Sequence, residues 1–344
     1  MGAVGILVTT PNVLPERRDV WFRNGLIRQG ISTAIYEKMK VDPMVYILGE
    51  GAHMKVHFDA PYIEKEFSNR VVTWPIAEDS GINFALGASL LGVKPIFDVI
   101  TGDFLYRVMD SVCNTCATTT YIAGEQANPI IIRAEFLLFA PSTGQRLEAL
   151  FAHIPNLNVV VPSNQLDAYY LMLDALGRKE VTVFFEDRMV VDAKTKPTDK
   201  LDYVPRRPQN RIGQAYVRKA GKRLTVVSYA LTLQRTEEVL NEHPEWDIEL
   251  IDLMTVKPFD RQTVLGSVLK TGRLLVIEPD IVTGGIGAEV VAATVELANK
   301  MGRDIRVKRV GAPLRTIPAS PSLHDMIIPN KARIERAVKE MMAR

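Results

Sequence analysis

Short apolar runs without polar alternation recur along this chain, each separated from the next by a stretch of helical periodicity. Val45-Tyr-Ile-Leu-Gly49, Arg70-Val-Val-Thr-Trp-Pro75, Lys94-Pro-Ile-Phe-Asp-Val-Ile100, Pro129-Ile-Ile-Ile-Arg133, Asn158-Val-Val-Val-Pro162 and Val181–Glu186 read as strands. The intervening patterns predict helices over residues 18–40, Gly81–Leu91, Asp103–Tyr121 and Asp167–Leu176. A strand that is apolar on both faces has to be covered on both faces, which points to a mainly parallel sheet between helical layers. The alternation then repeats. Leu224–Ala230, Ile248–Leu253, Leu274–Glu278 and Arg306–Val310 read as strands, with helices over Thr232–Leu240, Asp260–Lys270, Gly287–Asn299 and Asn330–Met342. Residues 192–222 crowd Lys, Arg, Pro, Asp and Gln together and read as a solvated linker with some strand at its end. The expected fold is therefore α/β with two doubly wound domains, 1–191 and a smaller 223–344, joined by 192–222.

A chain of 344 residues is long enough for two such cores. Its net charge of +2 argues against a nucleic-acid surface, which needs a concentrated basic excess. The apolar runs are too short to span a bilayer. The first residues carry no basic segment or cleavage site, so no secretory signal is expected. Two cysteines, Cys113 and Cys116, fit a reducing cytoplasm.

Local motifs divide into structural and chemical readings. Cys113-Asn-Thr-Cys116 has redox or zinc spacing, but it falls inside a predicted helix with no second ligand pair nearby, so two packed thiols are expected. Gly284-Gly-Ile-Gly287 lacks the dinucleotide spacing and reads as a tight turn with close helix packing. Ser142, Ser163 and Ser228 have no nucleophile-elbow context. His153 reads as a structural cap. His53 and His57 follow the first strand at the edge where open α/β sheets bind ligands, which makes them candidates to face a substrate. Trp74-Pro-Ile-Ala-Glu78-Asp-Ser-Gly81 places two acids between an apolar run and a small-residue helix. From local pattern alone, Glu78 is equally a helix-terminal acid or a working carboxylate.

Longer matches separate those readings. The relevant segments are Val45-Tyr-Ile-Leu-Gly-Glu50, Pro75-Ile-Ala-Glu78, Gly87-Ala-Ser-Leu-Leu-Gly92 and Thr101-Gly-Asp-Phe104 with Met109-Asp110. Leu147-Glu-Ala-Leu-Phe-Ala-His-Ile-Pro155, Asp252-Leu-Met-Thr-Val-Lys-Pro-Phe-Asp260 and Thr283-Gly-Gly-Ile-Gly-Ala-Glu289 follow in order. On these segments the chain resembles the β subunit of the thiamine-diphosphate-dependent decarboxylase component of 2-oxo acid dehydrogenase complexes. That family shares its plan with the C-terminal half of transketolase. The resemblance implies a pyrimidine-binding domain followed by a transketolase C-terminal-like domain. It implies that Glu78 hydrogen-bonds the aminopyrimidine ring nitrogen and so promotes removal of the thiazolium proton. Phe104 would pack on the pyrimidine, with Ile76 and Ile100 lining its pocket. Diphosphate and magnesium would be held mainly by an α subunit through a Gly-Asp-Gly motif, which this chain does not contain. The implied assembly is an α2β2 heterotetramer with an oxidoreductase role, acting on a small 2-oxo acid, with a lipoyl-bearing acyltransferase as the further partner the resemblance suggests.

One segment departs from the family pattern. Where members carry His-Ser-Gln, this chain has Thr143-Gly144-Gln145, after an apolar loop containing Phe136, Leu137, Leu138 and Phe139. Threonine cannot carry the proton or charge that histidine supplies. Thr143 and Gln145 are therefore substrate-site candidates, with His53 and His57 as possible compensating groups. The change keeps open a two-subunit transketolase-like or acyloin-forming carboligase with a non-lipoyl acceptor. A non-catalytic scaffold subunit is a third reading, disfavoured by the retention of Glu78 and Phe104.

Overall fold

The computed structural model describes residues 27–50, 52, 61–122, 129–136, 144–190, 211–318 and 320–343. His53, His57, Ser142 and Thr143 lie outside the described residues. Two sheets organise the rest. Seven strands are β1 (Val45–Gly49), β2 (Val71–Thr73), β3 (Lys94–Thr101), β4 (Ile130–Phe136), β5 (Leu157–Val160), β6 (Val181–Asp187) and, from much later in the chain, β10 (Thr255–Lys257). They run in the order β10-β5-β6-β4-β3-β1-β2, parallel throughout except for β10. The other sheet holds β7 (Tyr216–Lys219), β8 (Leu224–Ser228), β9 (Ile248–Asp252), β11 (Arg273–Ile281) and β12 (Arg306–Ala312). Its order is β12-β11-β8-β9-β7, with only β7 antiparallel. Every residue of β4, β6, β8 and β9 is buried, as strands covered on both faces must be.

Strand β10 departs from a simple two-domain division. It leaves β9 after two residues and adds an antiparallel edge to the first sheet, pairing Thr255 with Val160. Polar ties reinforce this junction. Ser163 donates to Asp252 at 2.8 Å and accepts from the Ala230 amide at 2.9 Å. Arg218 on β7 pairs with Asp252 on β9 and with Asp167 in the first turn of helix Gln165–Leu176.

Two helical expectations change in detail. The helix after β2 starts at Glu78 rather than Gly81 and runs to Leu90. Its first turn is drawn back because the Ala77 carbonyl accepts from the Gly81 amide, the Ser80 hydroxyl and the Trp74 indole. The stretch from Asp103 to Tyr121 is not one α-helix. It is a 3₁₀ turn (Gly102–Val108), a π-helical segment (Ser111–Cys116) and a short α-helix (Ala117–Ile122). Apolar spacing of three to five residues is compatible with all three windings, so periodicity does not separate them. Both cysteines are free, and burial pushes the Cys116 thiol up to about 12.

Candidate active site

Glu78 is the first residue of its helix and is 7% exposed. Its side chain makes no hydrogen bond among the described residues. Its charged neighbour there is Arg107, whose Nε lies 3.9 Å from Oε2 and whose own side chain is largely in solvent. The adjacent acid behaves differently. Asp79 accepts a 2.5 Å hydrogen bond from Ser111, which in turn accepts from Asn83. Asp79 thus fastens the helix to the π-helical segment, while Glu78 keeps open lone pairs beside the partial positive charge of the helix N-terminus. A carboxylate withdrawn from water with so little compensation is costly unless a bound group completes it.

The surroundings of Glu78 are built to a close fit. A Cβ at Gly81 would lie 2.2 Å from the Phe97 ring, so only glycine lets the helix start press onto β3. Trp74 packs on Phe84 with ring centroids 4.9 Å apart. Ile76 is 76% exposed, and Phe84, Leu91 and Tyr106 are also exposed. Ile100 adopts φ 69°, a conformation that a β-branched residue rarely takes. It costs on the order of 1–3 kcal/mol. The bend is held by Asp98, whose carboxylate accepts from the Ile100 amide at 3.0 Å, and it coincides with a bulge in the pairing of β3 with β4. Phe104 follows on the 3₁₀ turn, half-buried and packed against the core.

The structure thus gathers Glu78, Ile76, Ile100 and Phe104 around the ends of β3 and the helix after β2. Gln145 stands apart in role. Its amide is in a two-way hydrogen bond with the Ile317 main chain, donating at 3.2 Å and accepting at 3.3 Å. The next residue, Arg146, is buried, with ion pairs to Glu148 at 2.6 Å and Asp187 at 2.7 Å, and it stacks over Phe136 at 4.1 Å. A small cavity beside it is lined by Gly144, Arg146, Asp187 and His324. Burial holds the His324 imidazole below its usual range. Neither Arg146 nor His324 was singled out from sequence, because their partners lie far along the chain. His153 caps the helix Glu148–Ala152 and is exposed.

The glycine-rich turn also finds a role. Glu278 within β11 is fully buried and accepts from the Gly287 amide at 2.8 Å. A Cβ at Gly285 or Gly287 would lie 2.7 or 2.6 Å from its carboxylate oxygens. The glycines therefore make room for an acid, and the helix Ile286–Lys300 starts on it. Burial pushes the Glu278 carboxyl up to about 7. Its folded value lies above the ordinary 4.5, so its stabilising contribution is present below about pH 4.5 and lost as pH rises through about 7. The swing is on the order of 3 kcal/mol. Glu278→Gln should remove that slope. Urea unfolding at pH 5 and pH 8 checks it, and parallel slopes for both proteins would contradict the assignment.

The transketolase pyrimidine-binding domain model matches residues 26–193, and the transketolase C-terminal domain model matches residues 213–334. This chain belongs to the transketolase family. Among curated relatives of this transketolase-family chain is the pyruvate dehydrogenase E1 component subunit beta of Rickettsia felis. It is 27% identical over 327 residues, covering 92% of this chain and 97% of the relative. The mitochondrial subunit beta-2 of the same component from Oryza sativa subsp. japonica is 29% identical, covering 91% and 85%. The acetoin:2,6-dichlorophenolindophenol oxidoreductase subunit beta of Cupriavidus necator is also 29% identical, covering 92% and 97%. A split-gene transketolase, solved as an inactive beta4 tetramer, superposes with a TM-score of 0.76 at 20% identity, over 92% of this chain and 98% of that one. That likeness establishes the two-domain α/β fold. No helix among the described residues is long and apolar enough to cross a membrane.

Proposed function

We propose that this chain is the β subunit of a thiamine-diphosphate-dependent enzyme that decarboxylates a 2-oxo acid and passes on the acyl or hydroxyalkyl group. The observation that carries this reading is Glu78, a buried carboxylate with no hydrogen bond among the described residues, held at a helix start beside half-buried Phe104. Those residues fit an aminopyrimidine. Glu78 would donate its carboxyl proton in a hydrogen bond to the ring nitrogen, Phe104 would pack on its face, and Ile76 and Ile100 would close the apolar side. Bound thiamine diphosphate supplies an acidic thiazolium carbon and an electron sink. The chain has no Gly-Asp-Gly motif, so the diphosphate and magnesium fall to a partner α subunit in an α2β2 assembly. Exposed Ile76, Phe84 and Tyr106 on or next to the elements that carry Glu78 and Arg107, with Leu91 at the far end of the same helix as Glu78, suit burial beneath that partner. Cytoplasmic localisation fits the two free cysteines.

Native mass spectrometry of the protein purified from its own cells tests the reading. A complex with a second subunit that carries thiamine diphosphate and magnesium is expected. A cofactor-free homodimer would overturn it. The acceptor is a separate question. Thr143-Gly144-Gln145 in place of His-Ser-Gln, and the acetoin-named relative, favour comparing lipoamide with aldehydes and a dye. Transfer to an aldehyde without transfer to lipoamide would select the carboligase reading, and a lipoyl-bearing acyltransferase would then not be its partner.

A further inference from the structure

The 3₁₀ turn Gly102–Val108 faces two ways. Arg107, near its end, reaches Glu78 at 3.9 Å. Asp103, near its start, accepts a hydrogen bond from the main-chain amide of Gln145. Phe104 lies between them in sequence. The carboxylate of Asp103 is thereby anchored within hydrogen-bond reach of residue 145, two positions from Thr143. One of its oxygens, Oδ2, is shielded from solvent and has no hydrogen-bond partner among the described residues.

On the thiamine-diphosphate reading above, we propose that Asp103 is the proton-carrying residue of the substrate half of this site, supplying the function that Thr143 cannot. Asp103 Oδ2 holds a proton and delivers it to the C2 oxygen of the 2-oxo acid. The Asp103 O–H bond breaks as the substrate O–H bond forms, and the proton returns when the product regains its carbonyl. Nothing is oxidised or reduced in that exchange. Geometry carries the assignment, since the carboxyl is held by the Gln145 amide with one shielded oxygen left without a partner among the described residues, next in sequence to Phe104. Electrostatics agree, because burial pushes the carboxyl up to about 6, close to the working range of a general acid.

The charged neighbours leave Asp103 free for this role. Tyr106 on the same turn senses the charge of Asp103 and also that of Asp280 on β11, whose own carboxyl burial pushes well above its usual range. Arg107 turns to Glu78, and Asp79 on the packed helix is tied to Ser111. On β3, Asp98 pairs with Arg133, and on β4, Glu135 does the same. Arg146 beside Gln145 pairs with Glu148 and Asp187.

The test uses the complete complex loaded with thiamine diphosphate and magnesium, with pyruvate and a panel of larger 2-oxo acids as probes. Hydrogen–deuterium exchange at the thiazolium carbon is measured first, without substrate. Asp103→Asn should exchange at the wild-type rate, since Glu78 is untouched, yet turn over about 10²–10⁴-fold more slowly. Wild-type kcat/KM should fall as pH rises above about 6, and that limb should be missing in Asp103→Asn. Asp103→Glu should restore part of the rate and shift the limb. Turnover within about threefold of wild type, with the limb retained, would overturn the proposal. So would a variant that exchanges slowly or loses the cofactor, which would make Asp103 a structural residue. Absence of exchange in the wild-type complex would sink the thiamine-diphosphate reading itself, and the Asp103 role with it.

Discussion

Glu78→Gln is expected to leave the fold intact and to cost about 10²–10⁴-fold in thiazolium proton exchange in the loaded complex. The two halves of that expectation have one cause. Glu78 makes no hydrogen bond within the described chain, so an amide there removes no tie that holds the structure. Replacing a buried, poorly compensated carboxylate by a neutral isostere should leave stability equal or raise it slightly. The amide can occupy the site and can still touch a ring nitrogen, but it has no carboxyl proton to share. Thermal unfolding and exchange, measured on the same preparation, separate the outcomes. Exchange at the wild-type rate would remove Glu78 from the chemistry. Slow exchange together with a large drop in melting temperature would make it a structural acid.

How much of this was legible beforehand depended on the range of the contacts. Strands β4 and β6 announce themselves because a strand buried on both faces is an unbroken apolar run. Strand β10, Thr255-Val-Lys257, does not, because it is three residues long and takes its identity from pairing with β5 almost a hundred residues earlier. The helix starting at Glu78 was visible in its small residues, but its true first turn depends on the Trp74 indole reaching Ala77. Gly284-Gly-Ile-Gly287 was legible as a close-packed turn. That Gly285 and Gly287 press against a buried Glu278 was not, since the acid lies on the preceding strand. Asp103 was overlooked beside Phe104 because a lone acid in a turn ordinarily faces water. Burial and the Gln145 amide, from a separate segment, give it another environment.

Removing Arg133 should be the most damaging single change to the fold. Its side chain is fully buried in the middle of the larger sheet, bound to Glu186 through two nitrogens and 3.5 Å from both Asp98 and Glu135. Arg133→Met fills much of the same volume but strands three buried carboxylates. Loss of one partner from such a cluster typically costs about 3–5 kcal/mol, a large fraction of a stability on the order of 5–15 kcal/mol. The cost should depend on pH. Burial, and then the charge of Glu186, push the Glu135 carboxyl up to about 8, and burial also raises Glu186. A carboxyl raised in the folded state stabilises below its ordinary value of 4.5, and that contribution is lost as pH rises through about 8. At pH 6 Glu135 holds a proton and needs the guanidinium less, so the variant should lose more stability at pH 8 than at pH 6. Urea unfolding at both values measures this directly, and a loss under 1 kcal/mol at each would refute it. A functional consequence follows from the same cluster. Asp98 pairs with Arg133 and also holds Ile100 at its unfavourable φ. Freed of Arg133, Asp98 can turn away, Ile100 can relax, and the proposed pyrimidine-facing surface loses its shape. Folded Arg133→Met should therefore bind thiamine diphosphate more weakly in the complex, even at pH 6 where enough of it survives to assay.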